Sequence, residues 1–190
     1  MATYSASIAA STDDADQGGS TVDTTGTTLN ANNSNQYIGL RFTSVTIPSG
    51  STITAATLDL DIQSASYDDP DTTIYGDDTD NASTFTTASN NISGRTATTA
   101  SVTWTASNIG AGVKPTPDIA TVIQEIIDRA GWSSGNALAL IIKGNGTTSF
   151  LRTRAYDGTG SPAKLNVTYT TGGGSGQPTR TLHQFRQRTS

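Results

Sequence analysis

The chain contains no cysteine, which excludes disulfide staples and thiolate metal sites and leaves stability to a packed core. Histidine occurs once, as His183 near the end. A Ser-His-Asp relay, a histidine-rich metal centre or a histidine general base is therefore excluded from the first 182 residues. Glutamate is nearly absent too: of 16 acidic residues only Glu125 is not aspartate, so helix is expected to be scarce. Aromatic residues make up 6%, and few are left for exposed platforms once a core is filled. No apolar run approaches membrane-spanning length. The net charge is -5 with no basic stripe through the body, which argues against nucleic acid as a partner. The opening residues Met1 to Ala10 lack a basic region followed by an apolar stretch, so no signal peptide is expected.

What is abundant is threonine, 35 of 190 residues, together with serine, asparagine and glycine. Threonine is β-branched, loses little on extension and keeps its hydroxyl wet, so such stretches suit exposed sheet faces and loops. Extracellular and virion-surface proteins share this composition, and that location is the expectation for this chain.

Alternation marks the strands. Tyr4, Ala6 and Ile8 share one side of a first strand, and Ile38, Leu40 and Phe42 share one face of another. Leu58, Leu60 and Ile62 point inward between the outward Asp59 and Asp61, the mark of an antiparallel sheet with one wet face. Short strands follow at Thr72 to Tyr75, at Ser101 to Thr105, and at Phe150 to Ala155. Ala137 to Lys143 is nearly all apolar, as expected of a central strand, and Lys164 to Thr170 closes the series. Ser11 to Gly19 reads as an acidic loop and Ser20 to Leu29 as one weak strand. Residues 76–100 form a long excursion, either functional or packed down as a surface cover.

One amphipathic helix stands out. Ile119, Val122, Ile123, Ile126 and Ile127 follow helical spacing, with Asp118 placed as N-cap and Gly131 as stop. The expected fold is therefore all-β: a jelly-roll-like antiparallel β-sandwich with one short covering α-helix at about 118–130. Its body spans 1–170, followed by a Gly-rich linker at 171–176 and a basic C-terminal arm at 177–190.

The run Tyr37-Ile-Gly-Leu-Arg-Phe42, then Ile47 to Leu60, Trp104, Asp118 to Ile127 and Ser161 to Tyr169 resembles the DNRLRE family, across roughly residues 35–170. That family is similar to carbohydrate-binding jelly rolls, so the resemblance implies a sandwich and, with it, sugar recognition. Members usually sit as modules in long exported proteins, and here the likeness stands beside a basic tail.

Three candidate sites emerge. Arg180, Leu182, Phe185, Arg186 and Arg188 combine charge with two apolar anchors, suited to docking on an acidic, grooved neighbour. Asp68, Asp69, Asp71, Asp77, Asp78 and Asp80 are hard oxygen ligands dense enough to consider calcium, although no EF-hand spacing is present and aspartate also favours turns. Tyr67, Tyr75, Phe85 and Trp132 are the aromatic candidates for stacking a glycan; Trp104, alternating with Thr103 and Thr105, is a core residue. No carboxylate sits in a recognisable catalytic context, so no enzymatic activity is expected. The expected function is a non-enzymatic virion structural protein, a phage capsid decoration or cement protein docked through its terminal arm to other virion proteins. The alternative is a carbohydrate-binding module of a secreted or fibre protein that recognises host-surface glycan. Self-association into a homo-oligomer is compatible with either.

Overall fold

The computed structural model describes residues 1–63, 69–146 and 150–172. In chain order these form β1 (Ala2–Ser7), β2 (Asp14–Gly18), β3 (Thr21–Asp23), β4 (Thr28–Asn30), β5 (Gln36–Phe42), β6 (Thr52–Ile62), β7 (Asp71–Asp77), β8 (Ala97–Thr105), β9 (Gly112–Pro115), α1 (Ala120–Ile127), β10 (Leu138–Gly144), β11 (Arg152–Arg154) and β12 (Lys164–Thr170). One six-stranded sheet runs β1-β12-β6-β11-β4, with β9 also paired to β6; the other runs β3-β2-β5-β10-β7-β8. Every pairing among them is antiparallel. Late strands lie between early ones in both sheets, and the fold is the all-β sandwich that the alternation implied.

The core lies between the sheets. Ile38, Leu40 and Phe42 of β5 meet Leu58, Leu60 and Ile62 of β6, with Leu138, Leu140 and Ile142 of β10 and Leu165, Val167 and Tyr169 of β12. The wholly apolar β10 has a second cause beyond its central position. Its other face, Ala139 and Ile141, joins Ala15, Val22, Ala82, Phe85 and Ile92 in a second buried cluster on the outer side of that sheet. Residues 78–96 are thus a cover, held down by Phe85 and Ile92. Burying each such side chain stabilises by roughly 1.5–3 kcal/mol relative to exposure. Gly39 of β5 makes room for it, because a methyl group there would collide with the Phe85 ring.

The acidic segment taken from sequence as a loop is instead a 3-10 turn, Ser11–Asp13, followed by β2. Ala15 and Gln17 of β2 face the covered side while Asp14 and Asp16 face the other; aspartate content hid the period-2 pattern. The expected weak strand at 20–29 resolves into β3 and β4. The Gly112–Pro115 strand has a single aliphatic residue, the exposed Val113, and so carries no alternation to read.

The helix is shorter than the 118–130 expected. Ile119 takes the N-cap position, although the Asp118 carboxylate still accepts from the Ala120 N–H at 2.9 Å. Gly131 does not stop the helix, which ends at Ile127 with Asp128 as C-cap; it lets the chain pass tightly against the Asp80 carboxylate. The apolar stripe, Val122, Ile123, Ile126 and Ile127, is buried as expected.

The polar residues around that stripe close the sandwich along one side. On the β6 edge, Gln124 Oε1 accepts from Ile53 N–H at 2.7 Å, Asp118 Oδ1 from Ala56 N–H at 2.9 Å, and Thr116 Oγ1 from Leu58 N–H at 3.0 Å. On the β8 edge, the two oxygens of Glu125 accept from Thr99 and Ala100 N–H, both at 2.7 Å. One helix thereby satisfies strand donors from both sheets, which would otherwise be open templates for pairing with another chain.

Candidate functional site

The cover over the second sheet carries the most elaborate polar framework among the described residues. Arg95 sits at its centre. Its guanidinium pairs with Asp77 at 2.7 Å, donates to the carbonyls of Asn91, Ser83 and Thr84 at 3.1, 2.9 and 3.2 Å, and lies 4.2 Å from the Phe85 ring centroid. The planar fork of arginine suits several acceptors at once, and its weak hydration suits the ring beneath. From β2, buried Gln17 accepts from the Ile92 and Ser93 N–H groups at 3.0 and 2.9 Å and donates to Gly19 O and Ser93 Oγ, both at 2.7 Å. Two asparagines complete the framework: Asn81 Oδ1 accepts from Ala137 N–H at 2.8 Å, and Asn91 Oδ1 from Thr86 N–H at 2.9 Å.

These bonds shape an open polar bowl of about 610 Å³, walled by Asp78, Asn81, Ser89, Asn90, Asn91 and Thr96 with Asp77 and Arg95 in its lining. The aspartates at 77, 78 and 80 do not form a calcium cage. Asp77 is paired with Arg95, while Asp78 and Asp80 share Arg129, with Asp80 at 2.7 Å. Asp69 accepts from the Asn108 N–H, and Asp71 lies at the start of β7; Asp68 lies outside the described residues. Among the described residues no group of three or more metal-ligating side chains comes together.

No protein-family model matches the chain, and no curated protein matches it. The sequence candidates therefore stand on placement alone. Phe85 is 1% exposed and Trp132 3% exposed, with the indole N–H donating to Ile47 O at 3.0 Å; neither is a stacking platform, because both fill core space. Tyr75 is half-buried on the outer face of β7, packed with Tyr37 against the second cluster. Burial, then the neighbouring Tyr37, pushes its hydroxyl up to about 12. Tyr67 and the arm residues Arg180, Leu182, Phe185, Arg186 and Arg188 lie outside the described residues.

Two further polar sites were missed. At the seam where β2 faces β4, Asp14 accepts from Tyr156 N–H at 2.7 Å and Asp16 from the Asn30 amide at 2.8 Å, while Asp13 pairs with Arg41 at 2.5 Å. Burial pushes the Asp14 carboxyl up to about 7, against the Tyr156 bond and with help from Asp157, Asp13 and Asp16; burial also raises Asp16. On the outer face of the first sheet a smaller groove of about 350 Å³ runs between Val113 and Ser161-Pro162, floored by Asp59, Asp61 and Lys164. Asp61 is held there by Ser161 N–H at 3.0 Å and Arg154 at 3.5 Å, and Asp59 by the Asn166 amide at 2.8 Å. The outward aspartates of β6 were readable from sequence; the groove was not, since β9 supplies one wall.

Proposed function

We propose that the protein is a non-enzymatic structural module of a virion, a capsid decoration protein whose sandwich is tethered through its C-terminal residues. The supporting observation is the placement of the chain ends. Ala2 of β1 stands in register with Tyr169 of β12, so the first residue and the path toward residue 172 leave the same end of one sheet. A segment attached there holds the body from the end of the first sheet, whereas the cover is packed on the second. Residues 177–190, with Arg180, Arg186, Arg188, Leu182 and Phe185, have the charge and apolar anchors to grip an acidic groove. The threonine-rich surface and the engagement of the Asp77, Asp78 and Asp80 carboxylates by arginine favour a display body over a catalyst. Expressed in its native host, the full chain is expected to sediment with particles of virion mass in a density gradient. Residues 1–172 alone should stay at the top; full-length protein found only at the top would overturn the proposal.

A second reading, recognition of a host-surface glycan by the body, is favoured by one feature. The rigid polar cover and the Tyr37-Tyr75 pair lie on the same outer face of the second sheet, and neither hydroxyl bonds to a described residue. Half-buried tyrosines with free hydroxyls beside fixed amides are suitable sugar partners. Binding on a glycan array by the purified body tests it.

A further inference from the structure

The bowl in the cover has a feature that a merely solvated loop does not require. Asn81 and Asn91 each spend their carbonyl oxygen on a framework N–H, that of Ala137 and that of Thr86. Each side chain is thereby oriented, and its NH₂ group, two donors, bonds to no described residue. Asp78 gives one oxygen to Arg129, and its other oxygen bonds to no described residue. Ser89, Asn90 and Thr96 add groups that both donate and accept. The loop is held before any ligand arrives, by Arg95 from within and Gln17 from the sheet, so binding need not order it; such preorganisation is what raises affinity at a polar site.

Around the bowl two guanidiniums face three carboxylates, Arg95 with Asp77 and Arg129 with both Asp78 and Asp80, so one negative charge is in excess. Among the described residues no unpaired cation lines the bowl, and the chain carries net negative charge. No aromatic ring is in the lining, which leaves hydrogen bonds to ring hydroxyls and not face stacking as the means of holding a ligand. A volume near 610 Å³ falls within the usual range for small-ligand sites, about 300–1,000 Å³.

We infer that this bowl, and not the Tyr37-Tyr75 pair, is the glycan site of the body, and that it takes a neutral, hydroxyl-rich saccharide of one to three units. The inference rests on the glycan reading given above and assigns it a place and a charge class. Sialylated and uronic-acid glycans are disfavoured, because their carboxylates meet no free cation and approach an acidic surface.

The test uses the full chain on an array of neutral, sialylated and uronic-acid glycans, with the best hit titrated by calorimetry. Three variants are compared. Asn91→Asp and Asn81→Asp keep the oxygen that the framework uses, remove the NH₂ donors and add a negative charge, so each repels as well as fails to donate to a ligand acceptor. Ser89→Tyr fills the bowl from a side chain that makes no hydrogen bond of its own to a described residue. The expected result is binding to a neutral saccharide that weakens at least tenfold in all three variants, with unfolding midpoints unchanged and with Tyr75→Phe binding like the parent. A bound glycan whose affinity ignores the bowl variants but falls with Tyr75→Phe overturns the placement and leaves the glycan reading standing. Binding confined to acidic glycans overturns the charge class. No binding to any glycan overturns the glycan reading itself, and this inference with it.

Discussion

Gly39 and Asp14 make opposite demands on the second sheet. Gly39 is there because Phe85 occupies the space where a side chain would begin; Gly39→Val should destabilise by about 1–3 kcal/mol through overpacking, seen as a lower urea midpoint. A substitution that instead left the midpoint unchanged would mean that the cover is not seated on β5. Asp14 is 2% exposed and surrounded by other aspartates. Its carboxyl titrates near 7 in the folded chain against an ordinary value of 3.8. Below about pH 4 both folded and unfolded states hold the proton, so nothing is lost. Between about pH 4 and 7 the unfolded chain ionises while the folded one does not, and stability falls as pH rises. Above about pH 7 the loss is complete, on the order of 4 kcal/mol at about 1.4 kcal/mol per pKa unit. Thermal unfolding should therefore peak on the acid side of neutrality. Asp14→Asn, which can still accept from Tyr156, should be more stable than the parent at pH 8 and should flatten the profile between pH 4 and 7. Asp16, raised in the same direction by burial, adds to the same slope.

At the scale of elements, α1 matters less for its apolar stripe than for its two polar neighbours. Gln124 and Glu125 are adjacent in sequence but reach different sheets, the first to Ile53 and the second to Thr99 and Ala100. These bonds are part-buried or exposed, so removing the acceptor costs about 0.5–1.5 kcal/mol and leaves the strand N–H open to water. In hydrogen exchange, Glu125→Ala is expected to expose the Thr99 and Ala100 amides while leaving Ile53 protected, and Gln124→Ala should do the reverse. Loss of protection at all three amides in either variant would mean that the helix detaches as a unit. The elements also mark what was legible from sequence. Ile38-Leu40-Phe42, Leu58-Leu60-Ile62 and the isoleucine stripe were readable because one face is buried and period alone reports it. β2 was hidden because its inward aspartates are satisfied by Tyr156 and Asn30, partners more than ten residues away. The bowl was hidden for the same reason: its aspartates suggested calcium, and only the fold brings Arg95 and Arg129 to them. Phe85 and Trp132 looked available for sugar because sequence gives no burial for isolated aromatics between strands.

At the scale of the whole molecule, the two chain ends are unequal although they leave together. β1 lies at the sheet edge, but all six of its residues pair with β12, and Tyr4 and Ile8 belong to the core. Beyond Thr170, where β12 ends, no described residue contributes a buried apolar side chain. Deleting residues 1–8 removes a row of backbone hydrogen bonds and two core side chains worth roughly 1.5–3 kcal/mol each on burial, and uncovers the edge of β12. That deletion should abolish folding or lower the stability by several kcal/mol, read as a lower urea midpoint, whereas ending the chain at residue 172 should shift stability by less than about 0.5 kcal/mol, as for changes away from packed features. The contrast separates two meanings of a shared exit. If the truncated body keeps its midpoint and loses only its attachment to particles, the terminal residues act as a tether. If the midpoint falls with attachment, those residues are part of the fold, and docking through an independent arm is wrong even where particle binding is real.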